Sequence, residues 1–167
     1  MDDATALPLD SETKAIERPG DHKQELRLWL RLFSCKTLIE REIRTRLRRQ
    51  FDTTLPRFDL MAQLDKVPTG MKLGELSRRL MVSNGNTTAL VDTLMDQGLI
   101  ATEPAPDDGR AQLVRLTAEG RRQFRAMAAA HEQWIAEAFA DLAPGEIASL
   151  LRLMGKAKDS ARKALTG

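Results

Sequence analysis

LGELSRRLMVSNGNTTALVDTLMDQGLIATEPAPDDGRAQLVRL, residues Leu73–Leu116, changes its periodicity halfway along. Apolar residues first recur at helical spacing, and two short alternating runs then flank a turn rich in Pro, Asp and Gly. Leu76 and Leu80, one turn apart, predict a helix over Gly74–Met81. Ser83 has the side chain of an N-cap for a following helix over Asn84–Gln97, which buries Leu90, Val91 and Leu94 and stops at Gly98. Leu99–Thr102 and Ala111–Leu116 read as antiparallel strands, with Pro104, Pro106, Asp107, Asp108 and Gly109 at an exposed tip. Helix, turn, helix and a two-stranded wing form a unit whose shape suits DNA.

Upstream, Leu55–Leu64 begins a short helix with Pro56 in its first turn, where a missing N–H goes unused anyway. Phe58, Met61, Ala62 and Leu64 face inward, and Met71–Leu73 is expected as a brief strand against the wing. Residues 22–50 read as one long helix with two apolar stripes, Leu26, Trp29, Leu30, Phe33 and Thr37, and Leu28, Leu32, Ile39 and Ile43. A helix apolar on more than one side needs more than one neighbour. Its end carries Arg41, Arg44, Arg46, Arg48 and Arg49, either a solvated basic face or a surface for phosphate. Downstream, Thr117 caps a helix from Ala118 to about Asp141, with Phe124, Met127, Ala128, His131, Ile135, Ala138 and Phe139 on one face. Pro144 opens a last helix to about Lys163, whose apolar residues are Ile147, Leu150, Leu151, Leu153 and Met154. Packing of these helices across a two-fold axis would bury their apolar surface.

The fold class is therefore mainly α with a small antiparallel β wing. Residues 1–21 form a loose acidic arm, 22–54 and 118–165 a helical dimerisation region, and 55–117 a winged helix-turn-helix region. A chain of 167 residues can bury a real core, and its formal net charge of +2 neither requires nor excludes nucleic acid. One cysteine and two histidines support neither a disulfide framework nor a metal site, and fit a reducing cytoplasm. There is no Ser/His/Asp pattern and no Gly-rich phosphate loop, so no catalytic residue and no cofactor are assigned.

A helix fits the major groove of B-form DNA and presents base edges to its N-terminal residues. Asn84 and Asn86 can donate and accept, as adenine requires, Thr87 and Thr88 can bond phosphate or touch a thymine methyl, and Ser83 can do both capping and phosphate contact. Asn84–Gln97 contains no Lys or Arg, so bidentate guanine reading is not available from it. Arg78 and Arg79 on the preceding helix, Arg110 on the wing, and Arg57, Lys66 and Lys72 nearby are the candidate phosphate contacts. Arg110 is the leading single candidate: either it enters a narrow minor groove, or it braces the tip by pairing with Asp107 or Asp108.

These residues give the chain a resemblance to the MarR family of winged helix-turn-helix transcriptional regulators, from about Lys23 to Ala164. The motifs are Leu73-Gly74-Glu75-Leu76-Ser77, Val91-Asp92 with Leu94, Gly98-Leu99-Ile100, and Asp108-Gly109-Arg110 followed by Leu113-Val114-Arg115-Leu116-Thr117 and Glu119-Gly120. The resemblance implies a homodimer held by the first and last two helices, binding a palindromic operator and most often repressing nearby genes. It implies base reading from Asn84–Thr88, a wing arginine at Arg110, and release of DNA by a small ligand between dimer region and reader. Ala89, Thr93, Thr102, Glu103 and Gly109 depart from the pattern, because the family often places a basic residue there.

Trp29-Leu30-Arg31-Leu32 and Thr54-Leu55-Pro56-Arg57-Phe58-Asp59 resemble a branch that controls aromatic acid catabolism. That resemblance implies a small anionic aromatic effector, either a free acid or an aromatic acyl-coenzyme A thioester. Trp29, Arg57, Phe58, Met61, Phe124 and His131 are the candidate effector residues, each with core or interface packing, or a surface ion pair for Arg57, as its alternative. Cys35 raises a redox-sensing alternative, against an expectation of buried packing within an apolar helix. A protein-interaction module without sequence-specific DNA binding is the remaining alternative.

Overall fold

The computed structural model describes residues 24–105 and 108–166. The acidic arm expected at 1–21 lies outside the described residues. The elements are α1 (Gln24–Phe51), α2 (Leu55–Asp65), β1 (Met71–Lys72), α3 (Leu73–Leu80), α4 (Asn84–Asp96), β2 (Ile100–Ala105), β3 (Asp108–Leu116), α5 (Ala118–Ala138) and α6 (Pro144–Thr166). Residues up to His131 form one compact unit and those from Glu132 a second.

The first unit closes around α1, α2, α3, α4 and β3. Leu47, Leu60, Met61, Leu64, Leu76, Leu94 and Val114 have at most 1% of their surface exposed. Burying each such side chain is worth roughly 1.5–3 kcal/mol. Asp52 ends α1 at φ 47, and Thr54 starts α2 from extended backbone with Pro56 in the first turn. The helix before the reader's turn is Leu73–Leu80 rather than Gly74–Met81. Met81 falls outside it as a left-handed C-cap at φ 55, ψ 36, and Leu80 is half-buried where Leu76 is sealed.

The sheet has the order β1-β3-β2 and is antiparallel throughout. Met71 pairs with Val114 and Lys72 with Leu113, so the short strand before α3 does lie on the wing. The wing strands are longer than the alternation predicts. Pro104 lies inside β2, opposite Gln112, and an irregularity follows it before Ala105 pairs with Asp108. β2 is an edge strand, where a residue without an N–H is tolerated.

The wing base is fastened to α5. Gly98 at φ 69 releases the chain from α4. Thr117 N donates to Leu99 O at 3.0 Å, and Thr117 Oγ1 donates to Gly98 O at 2.8 Å while accepting from Gly120 N at 2.9 Å. Gly120 lies so close to Leu99 that a Cβ there would sit 1.8 Å from the carbonyl oxygen. Only glycine fits this crossing.

On α5, Phe124, Met127 and Trp134 are buried, and the helix ends at Ala138, short of the Asp141 expected. Trp134 adds to the face expected from Phe124, Met127 and His131, three residues beyond His131 and seven beyond Met127. In α6, Glu146 Oε2 accepts from Ala143 N at 2.8 Å and caps the helix start. No helix among the described residues is long and apolar enough to cross a membrane.

Candidate nucleic-acid interface

The start of α4 is built by Ser83. Its backbone is extended, and its Oγ accepts from Asn86 N at 3.3 Å, satisfying one of the N–H groups that a helix start leaves without a partner. Asn84, Asn86 and Thr88 are exposed, with Thr88 Oγ1 donating to Asn84 O at 3.0 Å. Thr87 corrects the expectation of a DNA contact. It is 0% exposed, and its Oγ1 donates to Ser83 O at 3.2 Å. The reason is helical: Thr87, Val91 and Leu94 recur at four and seven residues on the face that meets the core.

Turning about 100° per residue, the face opposite that core carries Gly85, Ala89 and Asp92. Gly85 and Ala89 add little bulk, and a Cβ at Gly85 would meet nothing within 4 Å. The helix start can therefore approach a groove closely, with the two asparagine amides on either side. Asp92 and Asp96 carry negative charge further along, which confines a polyanion to the N-terminal end.

The cations around this face differ in freedom. Arg79 donates twice to Glu75 Oε1, from Nε at 3.0 Å and Nη2 at 2.6 Å, so its charge is already shared. Arg78 is exposed on the last turn of α3 with no ion pair among the described residues. Lys72 precedes α3 and is half-buried, and Arg57 is half-buried on α2. Lys66 is exposed just past α2. Arg110 belongs to β3 by its backbone, while its side chain, like all of Asp107, lies outside the described residues. On the wing, Glu103 faces Arg115 at 3.8 Å, which offsets the repulsion expected between Glu103 and phosphate.

Of the candidate effector residues, Phe58, Phe124 and His131 come together. Ring centroids lie 5.5 Å apart for Phe58–Phe124 and 5.1 Å for Phe58–His131. Beside them the Asp59 carboxyl is held above its ordinary range by loss of hydration, while His131 and Arg44 pull it down and Glu40 pushes it up. Trp29 stands apart from this cluster, 61% exposed on α1 with Phe33 at 6.3 Å. Met61 instead lines a cleft of about 310 Å³ with Phe51, Asp52, Thr53, Gln97 and Met127. Sequence reasoning missed this cleft because its walls come from four separated segments and none carries a motif. The buried packing expected for Cys35 is also corrected: it is exposed on the single chain, in the half of α1 that precedes the buried Ile43–Leu47 stripe.

A capped, polar helix start in a helix-turn-helix, followed by an antiparallel wing, defines a winged helix-turn-helix DNA-binding protein. A profile described as MarR family matches residues 51–111. The transcriptional activatory protein BadR of Rhodopseudomonas palustris is 28% identical over 154 residues, covering 89% of this chain and 87% of that protein. Sco3205, a MarR family transcriptional regulator from Streptomyces coelicolor solved in complex with DNA, aligns with a TM-score of 0.72 at 23% identity, over 86% of this chain and 92% of that one. The PcaV transcriptional regulator from Streptomyces coelicolor, solved in complex with its natural ligand, aligns with a TM-score of 0.61 at 25% identity, over 83% of this chain and 94% of that one. Over residues 51–111 the chain resembles the MarR family, and its fold is that of a winged helix-turn-helix protein.

Proposed function

We propose that the protein acts as a homodimer on a palindromic operator, represses transcription from it, and leaves it when a small anionic aromatic effector binds. The observation that carries this reading is the start of α4, where exposed Asn84, Asn86 and Thr88 surround Gly85 and Ala89. Asn84 and Asn86 read base edges, and Ser83 and Thr88 meet the backbone. Arg57, Lys72, Arg78 and Arg79 supply phosphate contacts, and Arg110 enters the minor groove beside the wing. In this reading residues 22–54 and 118–165 pair two copies, so that exposed apolar residues such as Trp29 and Leu151 are covered. The two readers then meet half-sites about one helical turn apart, roughly 34–36 Å.

The effector is an aromatic acid or its coenzyme A thioester, and the regulated genes serve aromatic acid catabolism. The mutually tilted rings of Phe58, Phe124 and His131 support an aromatic guest, with Met61 adding apolar surface and Arg57 its counter-charge. The ligand changes operator occupancy only by binding the DNA-competent and incompetent dimers unequally. The likeness to an activatory protein favours a second reading, in which the same operator contacts raise transcription.

Operator binding measured across a salt series tests the core of this reading. Arg110→Ala is expected to weaken binding more than about tenfold, a loss of roughly 1.4 kcal/mol or more. Asn86→Ala is expected to relax base preference without changing dimerisation. Equal affinity of both variants and wild type for the operator would reject the assigned face. A promoter fusion read with and without the protein separates repression from activation.

A further inference from the structure

The C-terminal half of α1 carries a second charged feature, distinct from the reader. Arg41, Arg44, Thr45, Arg48 and Arg49 line a groove of about 440 Å³, with four guanidiniums and no carboxylate in its wall. All five side chains are exposed, while Ile43 and Leu47 between them turn into the core and hold the helix in place.

The charges in this groove are not balanced as elsewhere on α1. Glu40 bridges Lys36 and Arg44, and Glu42 pairs with Arg46 at 2.6 Å. Arg41, Arg48 and Arg49 have no ion pair among the described residues, although Asp52 lies four residues beyond Arg48. Like charges one turn apart destabilise a helix by about 0.2–0.5 kcal/mol per pair. Arg41 with Arg44 and Arg44 with Arg48 are such pairs. Thr45 Oγ1 donates to Arg41 O at 3.0 Å, so its proton is used and the groove offers guanidinium donors alone.

From this we infer that the groove binds a small molecule bearing two or more phosphate groups. Arg41 to Arg48 spans about 10.5 Å of helix axis at 1.5 Å per residue, two turns with a cation on each. A lone carboxylate meets one such fork, whereas separated phosphates meet several, each by paired N–H donors. Three uncompensated cations match the charge of a bisphosphate. The inference stands whether or not the operator reading holds, because no residue of the groove belongs to the proposed DNA face.

Isothermal titration of the full chain tests it, with adenosine 3′,5′-bisphosphate and pyrophosphate as probes and inorganic phosphate as the comparison. Saturable binding of a bisphosphate is expected in the micromolar range, with inorganic phosphate at least about tenfold weaker. Arg48→Ala/Arg49→Ala should weaken the bisphosphate at least about tenfold, and the single Arg41→Gln should do so in part, while Arg125→Ala on α5 changes it less than about twofold. The single variant keeps the test decisive if the double variant fails to fold. No saturation by about 1 mM, or an equal loss in Arg125→Ala, would overturn the site. So would loss of operator binding by the groove variants with bisphosphate affinity unchanged, which would make the patch a DNA contact.

Discussion

In the reader, Leu76, Leu94 and Val114 are 0% exposed, whereas along α6 Leu150, Leu151 and Leu153 keep 47%, 70% and 50% of their surface in solvent. The first half of α1 resembles α6, with Leu28, Trp29 and Phe33 at 53%, 61% and 55%. Both kinds of segment have apolar periodicity. The reader folds its apolar residues onto one another within a single chain, and α6 exposes apolar side chains that a second surface must cover. The reader thus buries its apolar core within one chain. The terminal helices leave these side chains exposed on the single chain, where the proposed dimer would cover them.

The largest expected effect lies where the reader meets α5. Gly120→Ala forces a Cβ onto the backbone carbonyl of Leu99, so only a backbone shift relieves the clash. Urea denaturation should show a loss of about 3 kcal/mol or more. A loss below about 1 kcal/mol would mean that the wing base can shift freely on α5. Next comes the apolar face of α6. Leu150→Asp with Leu151→Asp should raise the dimer dissociation constant more than about 100-fold by sedimentation, with the monomer still folded. An unchanged dimer would remove α6 from the interface.

A smaller effect, of opposite sign, is expected at Met81. It is 93% exposed and holds a left-handed backbone at φ 55, ψ 36 that glycine adopts without strain. Met81→Gly should stabilise the reader by about 0.5–1 kcal/mol in thermal or urea unfolding. A destabilised variant would show that the methionine side chain makes contacts the exposed position does not suggest. The smallest effect concerns pH. The Glu40 carboxyl is held below its ordinary value of 4.5, first by Lys36 and then by Arg44. A carboxylate lowered on folding contributes stability above its ordinary value and loses it as pH falls through the lowered one. Glu40→Gln should therefore cost only a few tenths of a kcal/mol per pair near neutral pH and nothing at the acid end. A cost independent of pH would assign it to packing rather than charge.

Much of the reader was legible in the chain because its signals are local. Ser83 as a cap, Gly98 at a positive φ, Thr117 before α5 and the strand at Met71 each depend on a few neighbouring residues. Errors gather where a local pattern leaves two outcomes open. Thr87 is polar and sits beside two asparagines, so it reads as part of the contact face, yet its helical phase puts it with Val91 and Leu94. Cys35 lies in an apolar helix, yet the apolar stripe there meets no partner within the single chain. Pro104 suggested a tip and lies in an edge strand.

The sequence by itself determined the order of helices and strands, the capped start of α4 and the absence of positive charge along it, because periodicity, capping and composition are properties of short segments. Only the tertiary structure decided that Thr87 is sealed, that Phe58, Phe124 and His131 form one cluster, that Gly120 must lie against Leu99, and that Arg41, Arg48 and Arg49 line a groove without an ion pair among the described residues. Those facts depend on which faces of distant segments meet, and burial and electrostatic pairing are set by that meeting rather than by any one segment.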